Sequence, residues 1–155
     1  ALPDLAVTSD VIVGFPGETE EEFMETYNFI RDHKFSELHV FPFSKRTGTP
    51  AARMEDQVDE EVKNERVHRL IALNDQLAKE YASRFEGDVL EVIPEERFKE
   101  SENENLYVGY TANYLKILFE AKEEMIGKLV KVKITKAGYP YNEGQFVRVL
   151  DTVEA

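Results

Sequence analysis

The stretch DVIVGFPGETEEEF, from Asp10 to Phe23, decides the fold of this 155-residue chain. Its apolar run, Val11 to Val13, is typical of a strand buried in a parallel sheet. The Gly-Phe-Pro-Gly turn that follows ends the strand, because proline interrupts pairing and glycine permits unusual dihedral angles. Thr19 and Glu22 then form a capping box, which predicts that a helix begins here.

A second strand is predicted from Leu38 to Phe43, after the helix and a short return loop. A strand, a helix and a strand joined by short links form a βα unit, so the two strands are expected to be parallel with a right-handed crossover. Two strands do not make a covered parallel sheet. The segment is therefore expected to be part of a larger α/β domain in a longer polypeptide.

The remainder of the chain is predicted to be a long helix followed by a small barrel. The helix is expected from about Asp59 to Phe85, with Gly87 as its C-terminal cap. The five short segments predicted as strands are Val89–Ile93, Leu106–Thr111, Tyr114–Phe119, Leu129–Ile134 and Phe146–Leu150. Such a series suggests a closed or nearly closed β-barrel. Thr111-Ala112-Asn113 is expected to be a tight hairpin connection, because asparagine tolerates the left-handed conformation that such turns often need.

Charge and composition limit the class of protein. The chain has no cysteine, so it offers no disulfide framework and no cysteine-ligated metal. No apolar run reaches the roughly 20 residues that span a bilayer, no signal peptide is visible, and a cytoplasmic protein is expected. Net charge is -12, which taken alone argues against nucleic-acid binding. The segment from Lys116 to Arg148 is nevertheless net basic, so it could face a polyanion.

Two segments are expected to meet at the carboxyl edge of the predicted sheet. Gly14–Glu18 is either an ordinary turn or a backbone-lined wall of a ligand site, and it lacks the Gly-Lys-Ser/Thr sequence of a phosphate loop. Ser44, Lys45, Arg46 and Thr49 follow the second strand. They form either a solvated loop or a site for a carboxylate, a phosphate or a ribose.

A basic stripe with nearby tyrosines marks the predicted barrel. Lys128, Lys131 and Lys133 are either a plain solvent face or, with the surrounding tyrosines, a surface for RNA bases and phosphates. The three histidines are scattered singly and do not predict a metal site.

Five segments together resemble the radical S-adenosylmethionine (SAM) methylthiotransferases. They are SDVIVGFPGETEEEF, FPFSKRTGTPAARMEDQV, NERVHRLIAL, GYTANYLK and GKLVKVKI, in the family's order. The wording SKRTGTPAARM, with Thr47 where a sister branch tends to have proline, is most similar to the branch that acts on N6-threonylcarbamoyladenosine beside the anticodon of tRNA. The family's Cys-x-x-x-Cys-x-x-Cys triad is absent, so the resemblance implies a C-terminal fragment that is inactive alone.

The resemblance implies a fold and a division into domains. Residues 1–55 would be the C-terminal part of a radical-SAM partial TIM barrel, residues 56–86 a linker helix, and residues 87–155 a TRAM domain, a small OB-like RNA-binding barrel. The expected partners are the tRNA anticodon arm and the N-terminal domains of the same polypeptide, with no membrane.

The resemblance also implies cofactors and site residues. SAM and two 4Fe–4S clusters would serve the full-length enzyme, and this chain would bind neither cluster. The residues expected at the cofactor site are Gly14, Pro16, Gly17, Glu18, Phe43, Ser44 and Arg46. The residues expected to bind RNA are Tyr110, Tyr114, Lys116, Lys128, Lys131 and Lys133.

The expected function is 2-methylthiolation of N6-threonylcarbamoyladenosine in tRNA by radical SAM chemistry. Three alternatives remain open: a sister enzyme acting on isopentenyladenosine in tRNA, one acting on a ribosomal-protein aspartate, or a stand-alone RNA-binding module.

Overall fold

The computed structural model describes residues 5–150, which form two compact units. One unit, here called the strand–helix unit, comprises Val7–Ala78, and the other, the barrel unit, comprises residues 79–150 together with Leu5 and Ala6. The boundary between the units falls inside a long helix. The domain limits expected from the sequence, at residues 55 and 86, stay predictions.

The strand–helix unit is built around a β-α-β motif. Its elements are β1 (Thr8–Val13), α1 (Glu20–Asp32), β2 (Glu37–Pro42), a short 3₁₀ helix (Ala51–Arg53) and the greater part of α2 (Glu60–Ser83). The strands pair in parallel, in a register that sets Thr8 beside Glu37 and Val13 beside Pro42. This pairing confirms the β-α-β prediction.

The capping box that was predicted for α1 is present. The side chain of Thr19, the N-cap residue, accepts a hydrogen bond from the Glu22 backbone N–H at 3.1 Å. This bond satisfies one of the N–H groups that lack a partner in the first helical turn, so the helix begins where the sequence indicated. Phe23 and Ile30 are the buried residues of α1.

Only one face of the two-stranded sheet is covered by the described residues. Val13 and Leu38 are buried in a core that α1 and α2 complete. On the opposite face Ile12 is 61% exposed and Phe41, its partner in the parallel register, is 52% exposed. In the described residues Val11–Val13 is therefore covered on one face, and cover of the other face by a larger domain stays a prediction.

The barrel unit contains a closed barrel of five strands. The strands are β3 (Val89–Arg97), β4 (Leu106–Thr111), β5 (Lys116–Glu120), β6 (Val130–Lys136) and β7 (Asn142–Val149). Their order around the barrel is β3-β4-β5-β7-β6, and β6 returns to β3 to close it. All pairs are antiparallel except β5 with β7. This OB-like arrangement confirms the small barrel that the strand pattern predicted.

Side chains from the strands and from the end of α2 fill the barrel. The buried residues of this core are Tyr81, Ala82, Phe85, Val92, Tyr107, Leu115, Ile117, Phe119, Ala121, Met125, Val130, Val132 and Ile134. The inward residues of β6 alternate with Lys131 and Lys133, because successive strand residues point to opposite faces.

Two turns differ from their predicted form. In the β4–β5 hairpin the residue with positive φ is Tyr114, at 64°, and not Asn113. The Thr111 side chain explains the tight turn, since it contacts Asn113 Oδ1 and accepts the Leu115 N–H. Gly87 has the positive φ expected of a cap, but its N–H donates to the Ile134 carbonyl of the barrel and not to the helix.

An exposed ion pair joins the end of β3 to the segment before β6. Arg97 donates to the Glu124 carboxylate and to the Glu104 carbonyl. The bond from Arg97 lowers the pKa of Glu124 below its ordinary value of 4.5, and the Ile126 N–H lowers it further. The same bond raises the pKa of Arg97.

We predict that the stabilisation by this ion pair is lost in acid. Because the folded carboxyl has the lower pKa, its contribution is present above the unfolded value and is lost as the pH falls through the folded value. Glu124→Gln should therefore be slightly less stable than wild type at neutral pH, and the difference should shrink as the pH falls below the ordinary pKa of glutamate and through the lower pKa of the folded carboxyl. Urea unfolding followed by tyrosine fluorescence measures this difference. A difference that stays constant or grows in acid would contradict it.

Candidate functional site

The parallel register brings the ends of β1 and β2 to one edge of the sheet. The Phe43 N–H donates to the Val13 carbonyl at 2.7 Å, one residue beyond the last pair of the register. Gly14 and Phe43 therefore leave the sheet side by side. The prediction that Gly14–Glu18 and the segment after β2 begin at the same edge of the sheet is confirmed.

The turn after β1 is held by its own polar groups and by the segment before α2. The Glu18 N–H donates to the Phe15 carbonyl at 2.9 Å, and the Gly17 N–H donates to the Asp56 carbonyl at 2.8 Å. Glu18 Oε1 accepts the Gly14 N–H at 3.1 Å. The carboxylate of Glu18 thus serves the turn itself, and its role at a cofactor stays a prediction.

Gly14 has a structural reason to be glycine. Its φ is +81°, which side chains rarely adopt, and a Cβ there would lie 2.5 Å from Cγ of Lys63. Gly17 has a φ of +82°, and a Cβ there would meet the Asp56 carboxylate. The sequence predicted that the backbone at these glycines approaches a ligand closely. In the described residues it approaches the side chains of Lys63 and Asp56 instead.

A cleft of about 580 Å³ opens beside the end of β2. Its lining residues are Ile12, Phe41, Pro42, Phe43, Ser44, Arg46, Thr49 and Ala51. Three of the expected cofactor residues, Phe43, Ser44 and Arg46, are in this set. The expected residues of the Gly14–Glu18 turn do not line it, although the adjacent Phe15 ring packs edge-on against Phe43 with 5.5 Å between centroids.

Two buried cations of α2 contact both strand-end segments, and the sequence reasoning missed them. Lys63 Nζ donates to the Phe43 carbonyl at 3.0 Å, and Arg66 Nη1 donates to Glu18 Oε1 at 2.8 Å. Each side chain is only 6% exposed. The signal in the sequence was their spacing: both lie on the apolar face of the helix, near Val62, Val67 and Leu70, where a cation needs a specific partner.

The expected RNA-binding residues form two groups on the barrel. Tyr110 lies opposite Lys116 across the β4–β5 pair, and Tyr114 is 70% exposed in the hairpin between those strands. Lys131 and Lys133 project from β6. Since β5 and β6 are not neighbours in the barrel, the structure does not bring these groups together on one strand pair.

Each group has further neighbours that were not singled out. The Lys116 ammonium lies 4.7 Å from the Tyr141 ring centroid and 5.9 Å from that of Tyr110. Such cation–aromatic contacts also leave ring surface available for stacking. Lys131 is paired with Arg148 of β7 on one side and with Glu91 of β3 on the other, so an acidic residue borders the stripe.

Within residues 5–150, no group of three or more histidine, cysteine, aspartate or glutamate side chains is arranged to hold a metal ion. No helix in the same part of the chain is long and apolar enough to cross a membrane.

Comparison with known proteins gives matches along almost the whole chain. Residues 83–149 match the TRAM domain. The chain is 82% identical, over 97% of its length, to the threonylcarbamoyladenosine tRNA methylthiotransferase MtaB of Bacillus subtilis, of which it covers 34%. It is 46% identical, over 95% of its length, to the tRNA-2-methylthio-N(6)-dimethylallyladenosine synthase of Acetivibrio thermocellus, of which it covers 30%. The chain thus spans about a third of the length of the curated relatives it matches.

We predict that Gly14 tolerates alanine less well than Gly48 does. Both glycines have positive φ, so alanine strains the backbone at either position, but nothing lies within 4 Å of a Cβ on Gly48. Gly14→Ala adds the contact with Lys63 and should lower the free energy of unfolding by about 1–3 kcal/mol more than Gly48→Ala does. Urea unfolding followed by helical circular dichroism tests this prediction. Equal losses of unfolding free energy in the two variants would show that the Lys63 side chain moves aside at no cost.

Proposed function

Since this chain belongs to the methylthiotransferase family, as its motifs predicted, we propose that it is part of a tRNA methylthiotransferase acting on N6-threonylcarbamoyladenosine beside the anticodon. The observation that carries the proposal is the 82% identity to a relative named for that nucleoside. Relatives named for dimethylallyladenosine share 46% and 41% identity. The larger identity favours the threonylcarbamoyl substrate over the dimethylallyl one.

In this proposal the barrel binds the anticodon arm. A TRAM match over residues 83–149 supports RNA as the ligand of this barrel. Lys131 and Lys133, with Arg148 beside them, would contact phosphates, and the Tyr110–Lys116–Tyr141 cluster would stack on unpaired bases. The local basic character of the β6–β7 surface would let an acidic chain bind a polyanion.

The cleft beside β2 has side chains that suit SAM or the modified base. Phe41, Phe43 and Ile12 offer apolar and aromatic surface for a nucleoside, and Arg46 with Ser44 offers a guanidinium and a hydroxyl for a carboxylate or ribose. When bound at a 4Fe–4S cluster, SAM supplies a 5′-deoxyadenosyl radical in this family. This chain has no cysteine, so the two clusters would be held by other residues of the enzyme.

The role we assign to this chain is therefore binding and orientation. The β1 and β2 ends would form one wall of the cleft, hold the substrate and exclude water, while the cofactor carries the chemistry. An enzyme with a tRNA substrate would work in the cytoplasm.

Nucleoside analysis of tRNA tests the substrate. We expect a strain that lacks the gene to lose 2-methylthio-N6-threonylcarbamoyladenosine and to accumulate the nucleoside without sulfur, and we expect the intact gene to restore it. Mass spectrometry of digested tRNA measures both nucleosides. Loss of the dimethylallyl counterpart alone would move the protein to the sister enzymes. No change in either nucleoside would overturn the tRNA substrate and favour a protein substrate or a binding module.

The basic stripe of the barrel is tested by reversing its charge. We expect Lys131→Glu with Lys133→Glu to weaken binding of the enzyme to tRNA by roughly tenfold or more. The slope of log affinity against log salt should become shallower by about 0.7–0.9 for each phosphate that the barrel no longer neutralises.

Filter binding across a salt series measures both quantities. The matched control is Lys34→Glu with Lys79→Glu, which makes the same charge change at two exposed positions that are not part of β6 or β7. Equal affinity and equal slope in wild type and the stripe variant would show that the stripe is a solvated face.

A further inference from the structure

We propose that Lys63 and Arg66 of α2 are positioning residues for the cofactor and substrate cleft. Lys63 would hold Phe43–Arg46, which lines the cleft, and Arg66 would hold the Gly14–Glu18 turn, whose Phe15 ring packs against Phe43. This inference rests on the proposed function for the identity of the ligand. It gives α2 a role at the site, where the sequence suggested only a linker.

Arg66 fixes the turn after β1 at both of its ends. Its Nη1 donates to the Glu18 carbonyl at 3.0 Å and to Glu18 Oε1 at 2.8 Å. The same Oε1 accepts the Gly14 N–H at 3.1 Å. The guanidinium therefore holds Glu18, and Glu18 holds Gly14, in addition to the backbone bonds that the turn makes internally and to Asp56.

Lys63 joins the ends of the two strands. Its Nζ donates to the Phe43 carbonyl at 3.0 Å and to Glu60 Oε1 at 3.0 Å. Its aliphatic stem packs on Gly14, as the 2.5 Å separation from a Cβ built there shows. The ammonium also lies 5.7 Å from the Phe43 ring centroid. Since Phe43 and the next residues line the cleft, Lys63 directs the chain as it enters the cleft wall.

Stability alone does not account for cations at these two positions. A buried ion pair commonly stabilises a fold no more than apolar side chains of similar volume would. The neighbouring face of α2 carries Leu70, Leu73 and Leu77, so this helix buries leucine readily. What the cations add is direction, because their hydrogen bonds end on named oxygen atoms of the two strand-end segments.

The test compares Lys63→Met and Arg66→Met with Arg69→Met in the full-length enzyme. Arg69 lies one helical turn beyond Arg66 and bonds to Glu20, Glu65 and Met24 but to neither strand-end segment, so it controls for the loss of a paired cation from α2. Hydrogen exchange measured by mass spectrometry reports on the amides of residues 10–23 and 41–50. Equilibrium dialysis without reductant reports the Kd for SAM, and filter binding reports the Kd for tRNA.

We expect faster exchange in both peptides and a Kd for SAM raised about tenfold in the Lys63 and Arg66 variants, with the Kd for tRNA unchanged. A tenfold change equals about 1.4 kcal/mol. Arg69→Met should match wild type in all three measurements. Arg66→Lys should recover part of the loss, because it restores the charge without the planar fork of donors.

Folded variants with wild-type exchange in both peptides and wild-type affinity for SAM would overturn the inference. If a methionine variant does not fold, Glu18→Gln takes its place, because it keeps the shape and an acceptor oxygen and removes only the charge that Arg66 holds. A wild-type enzyme that does not bind SAM would refute the proposed function instead. In that case the exchange rates alone decide whether the two cations hold the segments.

Discussion

Parallel pairing of β1 with β2 is the constraint on which the candidate cleft depends. Parallel strands end at the same edge of a sheet, and the bond from the Phe43 N–H to the Val13 carbonyl extends the pairing one residue beyond the end of β2. Two segments separated by the whole of α1 thereby become neighbours. Residues 41–51 supply the aromatic, cationic and hydroxyl groups of the cleft, and Ile12 of β1 adds an apolar side chain.

The strand ends still need support, because a two-stranded sheet does little to fix the segments that leave it. Buried polar groups of α2 supply that support through the Phe43 carbonyl and the Glu18 carboxylate. A buried cation without a partner raises the free energy of the folded state, so the fold strongly favours the conformations in which Lys63 and Arg66 make these hydrogen bonds. The burial of the two cations and the direction of their hydrogen bonds thus act together to hold the strand-end segments.

Closure imposes a different constraint on the barrel. Every strand has two partners, so its alternate side chains face either a filled core or the surface. Val130, Val132 and Ile134 are fully buried, which forces Lys131 and Lys133 outward. The same closure separates the lysines of β6 from Lys116 of β5. A segment that is continuous and basic in the sequence therefore places its lysines on strands that are not neighbours in the fold.

Most elements followed from local patterns in the sequence. The capping box at Thr19, the alternation along β6 and the parallel β-α-β unit depend on neighbouring residues or on short connections, and each is present. Of the details that differ, one depends on a distant partner and the other on a side-chain hydrogen bond within the hairpin. Gly87 donates to a barrel carbonyl, and Tyr114 takes the strained conformation because the Thr111 side chain closes the turn around it.

For the site, the sequence by itself determined which segments meet, because strand direction and the position of the turns are local properties. It also contained the motifs by which the family is identified. Only the tertiary structure decided which oxygen atoms Lys63 and Arg66 reach. Those bonds join residues 20 and 48 positions apart, and periodicity carries no information about which distant oxygen atom a buried cation will reach.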